Sequence, residues 1–162
     1  MTYTSSRADT ERLLRMAMDE AETAASSGNH PYGAVIVSPD GELVATGRNG
    51  VHDTHDPSSH AEMNAIRAAC MTLGTLSLEG YRLYTNGAPC TMCATVIMAT
   101  RVSEVWYSAP ASADRTMPTL EAMIAQSGAT APVVHQGSLA DEASAQIAKW
   151  SGGNVSRTEA DD

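Results

Sequence analysis

Four side chains of this 162-residue chain have the types and spacing for metal-assisted chemistry. His60 and Glu62 stand two residues apart, and Cys90 and Cys93 follow in a Pro-Cys-x-x-Cys stretch. One His and two Cys are one ligand short of the four that a structural zinc uses, and a catalytic zinc keeps that fourth position for water. The carboxylate would then be free to move the protons of that water. We therefore predict a catalytic zinc centre with His60, Cys90 and Cys93 as ligands.

Each of the two motifs also has a simpler interpretation. Ser59-x-x-Glu62 matches a capping box, in which the carboxylate bonds a backbone N–H at a helix start. A Cys-x-x-Cys pair alone also occurs in thiol-redox proteins. Cys90 and Cys93 lie on one face of a helix, and Pro89 fits its first turn, where the positive helix end favours thiolates. The two motifs together favour zinc ligation, with Glu62 as the proton carrier.

Other reactive side chains receive structural interpretations. We expect Cys70 to be a small apolar residue on the buried side of a helix. Residues 52–56 hold two His and two Asp, but neighbouring residues of a loop seldom converge, so we expect a solvated loop. His30 and His135 are expected at surface or turn positions.

Composition and charge exclude several classes of protein. The net charge is −9, with 19 acidic against 10 basic residues and no run of Lys or Arg. Nucleic-acid binding draws much of its affinity from clustered cations, so the charge argues against such a partner. The sequence has no apolar run of the roughly 18–20 residues that span a membrane, no signal-peptide pattern and only three Cys. We expect a cytoplasmic protein without a disulfide framework.

The apolar pattern predicts one α/β domain over residues 1–150. Helices are predicted over 11–25, 60–71, 90–99, 119–125 and 139–150, and strands over 34–37, 43–46, 82–85, 102–107 and 132–134. Pro-Asp-Gly at 39–41 predicts a hairpin turn, and residues 50–57 a polar loop. The alternation of strands and helices after the hairpin favours a mixed sheet with helices on both faces. Residues 151–162 are polar and acidic, and we expect a flexible tail.

From residue 31 to about residue 106 the chain resembles the cytidine-deaminase-like superfamily, in the branch whose first metal ligand is a His. The His-x-Glu…Pro-Cys-x-x-Cys signature of the zinc deaminases is present in full. Residues 31–37, 47–49 and 56–67 are similar to bacterial guanine deaminases. Residues 137–142 resemble the start of the last helix of tRNA adenosine deaminases, without the basic tail of those enzymes. Residues 86–88 read Asn-Gly-Ala where many relatives have a Glu before Pro-Cys.

The resemblance implies a three-layer α/β/α sandwich around a five-stranded mixed sheet, one Zn2+ per chain and a homodimer. It implies that Asn49 binds the substrate ring and that the backbone N–H of Ala61 contributes to the pocket. The implied reaction is the hydrolytic removal of the exocyclic amine of a small aminated heterocycle, with Glu62 as both base and acid. Guanine or a related purine base ranks first. Cytosine, another aminopyrimidine or a triazine ranks second, and adenosine in tRNA third.

A flat base that is bound at one edge also needs a polar group that recognises its opposite edge. Asp114 is the candidate, because its carboxylate could accept hydrogen bonds from the ring N–H and amino groups of guanine. Trp150 could cover the base or pack the end of the last helix.

Two other interpretations of the protein's function stay open. One is an inactive zinc-binding dimer module, against which the presence of Glu62 argues, and the other is a redox protein that uses the Cys pair.

Overall fold

Six helices and five strands alternate in the computed structural model, which describes residues 5–112, 117–127 and 131–152. The helices are α1 (Arg7–Ser26), α2 (Val51–Thr54), α3 (Ala61–Leu73), α4 (Thr91–Ala99), α5 (Leu120–Ser127) and α6 (Ala140–Ser151). The strands are β1 (Gly33–Val37), β2 (Leu43–Arg48), β3 (Arg82–Gly87), β4 (Glu104–Ala109) and β5 (Val133–Gln136). The predicted order of elements is confirmed, except that α2 forms inside the stretch predicted as a loop.

The five strands form one mixed sheet in the order β2-β1-β3-β4-β5. β1 pairs antiparallel with β2 and with β3, whereas β3, β4 and β5 are parallel neighbours. Parallel neighbours need crossover connections, which α4 supplies between β3 and β4, and α5 between β4 and β5. The register pairs Gly87 with Ala109, so the carboxyl ends of β3 and β4 lie side by side. The predicted five-stranded mixed sheet is confirmed.

Helices cover both faces of this sheet, and β1 shows how the core is divided. Ala34 and Ile36 pack in one apolar cluster with residues of α3, α4 and α5, whereas Val35 and Val37 pack with residues of α1. α6 lies on the α1 side, because Gln146 donates to the Met18 carbonyl oxygen at 2.8 Å. The alternation along a strand sends successive side chains to opposite faces. The predicted three-layer α/β/α sandwich is therefore confirmed.

Two glycines let the outer layers touch the β1–β2 hairpin backbone to backbone. A Cβ at Gly47 would overlap the Ala61 carbonyl oxygen and the Ala65 backbone nitrogen of α3. A Cβ at Gly33 would overlap the Ala17 carbonyl oxygen of α1. The sheet thus fixes how deep the first turn of α3 lies, and that turn carries the predicted carboxylate.

Some predictions fall outside these elements. Residues 153–162, most of the predicted tail, and Asp114 lie outside the described residues. The domain boundary at residue 150 stays a prediction. Across the described ranges, a helix with the length and apolarity of a membrane span is not found.

We predict that Gly47→Ala lowers the free energy of unfolding by about 1–3 kcal/mol, the usual cost of overpacking. The physical reason is that the added methyl group meets helix backbone, which cannot rotate away. Gly152→Ala is the matched control, because its Cβ would lie 3.6 Å from the Ala148 carbonyl oxygen; we expect it to stay within about 0.5 kcal/mol of the parent. Urea denaturation measures both, and a parent-like Gly47→Ala would contradict the direct contact.

Candidate metal centre

The three predicted ligand atoms converge just beyond the carboxyl end of β3. His60 Nδ1 lies 3.5 Å from Cys90 Sγ and 3.7 Å from Cys93 Sγ, and all three ligand atoms lie within 4.8 Å of one another. Zinc–nitrogen and zinc–sulfur bonds of usual length place N and S about 3.5 Å apart in a tetrahedral site. The donor set and its spacing therefore fit one zinc ion. Across the described residues, no other group of three or more His, Cys, Asp or Glu has metal-binding geometry.

Both ligand stretches stand at helix N-termini. His60 is the N-cap residue of α3, and Cys90 is the N-cap residue of α4. Cys90 Sγ accepts a hydrogen bond from the Cys93 backbone N–H at 3.5 Å. The first N–H groups of a helix lack partners within it and carry partial positive charge. Two such ends at one point favour a negative charge on Cys90.

The capping-box interpretation of Ser59 and Glu62 is wrong. Helix α3 is capped one residue later, by His60, which makes no side-chain capping bond. Ser59 Oγ instead accepts from Asn64 Nδ2 at 3.0 Å. Glu62, in the first turn of α3, is only 5% exposed and accepts a hydrogen bond from Cys93 Sγ at 3.5 Å.

Burial and the neighbouring sulfurs change the acidity of this cluster. Burial raises the pKa of the Glu62 carboxyl, and the negative charge on Cys90 raises it further. The neighbouring Cys93 side chain lowers the pKa of the Cys90 thiol to about 4, with His60 adding to the effect. The Cys90 sulfur, followed by burial, raises the pKa of Cys93. The thiolate is the form that binds metals, so zinc uptake would displace the proton of Cys93.

Asn49, the residue predicted to bind the substrate ring, lies buried just after β2. Its Oδ1 accepts from the Val51 backbone N–H at 3.2 Å, and its own backbone N–H donates to the Tyr32 carbonyl oxygen at 3.0 Å. Within the part of the chain that the structure describes, the Asn49 –NH2 group makes no hydrogen bond. Ala61 is the buried first residue of α3, so its N–H is a donor that the helix cannot satisfy. Both groups are available to a ligand.

The 52–56 stretch does not form a second metal site. Asn29 Oδ1 accepts from the backbone N–H groups of His52 and Asp53, at 3.0 and 3.2 Å, and His52 and His55 are exposed. The His30 ring centroid lies 5.0 Å from that of His52. The solvated stretch is therefore confirmed in outline, although part of it is helical.

The remaining candidates have packing contacts. Cys70 packs against the apolar core on the α3 side, as predicted. The half-buried His135 stacks on Trp106, with ring centroids 3.9 Å apart. Trp150 donates from its indole nitrogen to Glu22 of α1 at 3.0 Å, which indicates a packing role. The fourth candidate, Asp114, lies outside the described residues.

The sequence analysis missed Asn64, which joins the two halves of the site. Its Nδ2 donates to the Arg48 carbonyl oxygen at 2.9 Å as well as to Ser59 Oγ at 3.0 Å. These bonds connect the residue before Asn49 to the residue before His60. A single Asn inside a helix carries no sequence signal for such a role, because its partners are set by the fold.

Comparison with known proteins places this site in a family. The cytidine and deoxycytidylate deaminase zinc-binding region matches residues 7–109. The chain belongs to this family. The tRNA-specific adenosine deaminase of Aquifex aeolicus is 41% identical over 99 residues, which are 61% of this chain and 65% of the relative. The guanine deaminase of Bacillus subtilis is 42% identical over 100 residues, 61% of this chain and 64% of the relative.

A solved structure is similar to this chain over a longer stretch. It comes from a study of A-to-I editing by tRNA:A34 deaminases, is 35% identical, and superposes with a TM-score of 0.75 over 85% of this chain and 99% of its own. The match to each of the two curated relatives spans less than two thirds of that relative's length. The zinc-binding character of the family agrees with the ligand set found here.

We predict that Cys90→Ala and Cys93→Ala each lose bound zinc and melt at lower temperature, because metal binding is coupled to folding. Cys70→Ala is the matched control, since Cys70 lies outside the ligand cluster, and it should keep its zinc. Elemental analysis and thermal denaturation measure the two effects. Stoichiometric zinc in either ligand variant would show that the ligand set is wrong.

Proposed function

We propose that the protein is a zinc-dependent hydrolytic deaminase that removes the exocyclic amine of a small aminated heterocycle. The observation that carries this proposal is the buried Glu62 carboxylate, which contacts Cys93 yet is not one of the three converging ligand atoms. A structural zinc uses four protein ligands and needs no buried carboxylate beside it. Three ligands with an adjacent proton carrier are instead typical of a hydrolytic site.

In this mechanism the chain supplies the proton transfers. Bound zinc would contribute Lewis acidity, which lowers the pKa of water to about 7. Glu62 accepts a proton from the water, whose oxygen attacks the ring carbon that bears the amine. Glu62 passes this proton to the ring nitrogen, then takes the second proton from the added oxygen and delivers it to the leaving amine, so the C–N bond breaks and ammonia departs. The product carries oxygen where the substrate carried nitrogen.

We propose that Asn49 and Ala61 orient the base. The Asn49 –NH2 group would donate to an acceptor on the ring, and the Ala61 backbone N–H would supply a second donor. Their support is their burial and their position between β2 and the first turn of α3. Orientation matters because a misplacement of about 1 Å can cost on the order of a hundredfold in rate. From the sequence alone, Asp114 remains the proposed reader of the far edge.

Guanine or a related free purine base is the proposed substrate, with cytosine, an aminopyrimidine or a triazine next. The sequence identity to a guanine deaminase supports guanine as the substrate. The net charge of −9 argues against a polyanionic substrate. Several described arginines are also paired with carboxylates: Arg7 with Glu11, Arg15 with Glu142, Arg48 with Glu20 and Arg101 with Glu79. A homodimer is proposed on the resemblance alone.

Adenosine in tRNA is the third candidate substrate, because the Aquifex relative is a tRNA-specific adenosine deaminase and the solved structure comes from a study of tRNA:A34 deaminases. The first of these likenesses spans 61% of this chain and the second 85%. A reader of tRNA also needs a cationic surface along the phosphate backbone, and the charge balance of this chain provides little of it.

We predict that Glu62→Gln keeps its zinc and its fold but loses at least about a hundredfold in kcat/KM, the usual contribution of a general acid–base group. Glu79→Gln is the matched control, because Glu79 is exposed and paired with Arg101; it should keep parent activity. Ammonia release and elemental analysis measure both variants. Zinc-loaded Glu62→Gln with activity within about tenfold of the parent would contradict the proton-carrier role.

Ammonia release from a panel of guanine, cytosine, adenine, their nucleosides and ammeline tests the function itself. We expect the highest kcat/KM for guanine and no gel shift of tRNA near physiological salt. Inosine formed in a tRNA anticodon loop would make adenosine in tRNA the substrate. Release from no compound and no tRNA, by protein with stoichiometric zinc, would favour the inactive zinc-binding module.

A further inference from the structure

We propose that Asn29 is a positioning residue for the base-binding Asn49 and acts through helix α2. The inference rests on the proposed function, because only that function assigns Asn49 to a substrate. Asn29 belongs to neither sequence motif. It lies in the connection between α1 and β1, where it is 4% exposed and its backbone N–H donates to the Ala24 carbonyl oxygen at 3.0 Å.

Helix α2 depends on capping from outside. It has four residues, and its N-cap Gly50 offers no side chain. The first N–H groups of a helix have no partner within it, and so short a helix is not stable alone. Asn29 Oδ1 accepts from the N–H groups of both His52 and Asp53, at 3.0 and 3.2 Å. One buried amide thus satisfies two of these donors.

The same helix start holds Asn49. Its Oδ1 accepts from the N–H of Val51, the first residue of α2, at 3.2 Å. This bond turns the carbonyl oxygen toward α2 and leaves the –NH2 group as the end that a base meets. Loss of the Asn29 cap would release α2, move the Val51 N–H and remove the bond that orients the Asn49 amide.

A further bond fixes the orientation of Asn29 itself. Its Nδ2 donates to Asp53 Oδ2 at 2.8 Å, so its acceptor end faces the helix N–H groups and its donor end faces a carboxylate. The two ends of the 50–59 segment, which contains α2, are joined by a hydrogen bond from the Gly50 N–H to the Ser59 carbonyl oxygen at 2.9 Å. The contacts of Asn29 therefore require both an acceptor and a donor, which an isosteric carboxylate cannot supply.

The test exchanges the side chains of Asn29 and Asp53. Asn29→Asp keeps the size of the side chain but sets two carboxylates against each other, so we expect KM for the preferred base to rise about tenfold, as for one lost hydrogen bond. The double variant Asn29→Asp/Asp53→Asn rebuilds the pair in reverse and should return KM to within about twofold of the parent. Asp53→Asn alone can still accept from Asn29 and should behave like the parent. Zinc content should be unchanged throughout.

A double-mutant cycle with Asn49→Ala shows whether the effect passes through Asn49. Without the Asn49 amide, Asn29→Asp should change kcat/KM by less than about twofold, because residues in one network are not additive. A full additional loss in the Asn49→Ala background would overturn the proposal and assign Asn29 an independent or merely structural role.

Hydrogen exchange over residues 50–57 adds a readout that needs no substrate. Exchange should be faster in Asn29→Asp and return to the parent rate in the double variant. Faster exchange with an unchanged KM would overturn the positioning role, and unchanged exchange would overturn the hydrogen-bond assignment. A parent enzyme that releases ammonia from no base would overturn the proposed function together with this role, and the exchange rates would still show whether Asn29 caps α2.

Discussion

The meeting of two helix N-termini at one point is the constraint on which this structure depends. α3 begins after His60 and α4 begins after Cys90, so each N-cap residue is also a candidate ligand. Two positive helix ends placed together in a buried site would repel each other without negative charge between them. The Cys90 thiolate, whose pKa is lowered to about 4, supplies that charge. The geometry that binds a metal and the electrostatics that let the two helices meet are thus the same feature.

Sequence reasoning succeeds here where the signal is local. The ligand set, the order of strands and helices, and the hairpin turn at 39–41 follow from spacing and periodicity within a few residues. It fails where the decisive contact spans the chain. Helix α2 forms because Asn29, more than twenty residues earlier, caps it, and the false capping box at Ser59 differs from the true cap by one residue. A local pattern contains neither fact.

Under the proposed function, the two edges of a bound base would meet different parts of the chain. We propose that the near edge meets Asn49, Ala61 and Glu62, which stand on or beside β2 and α3 and are buried. Asp114, proposed for the far edge, follows β4 in the chain. Relatives that act on guanine and on adenosine in tRNA are 42% and 41% identical to this chain. Identity over these 99 and 100 residues therefore does not decide the substrate.

The backbone contact at Gly47 has a consequence for how such a pocket can diversify. Where a helix rests on a strand with no side chain between them, any added side-chain atom meets helix backbone. The floor beneath the first turn of α3 therefore adapts only at a cost in stability. We expect a change of substrate range to come more readily from the segment after β4, where the far-edge residue is proposed. A mutagenesis library built to change specificity should place its diversity there and leave the hairpin glycines alone.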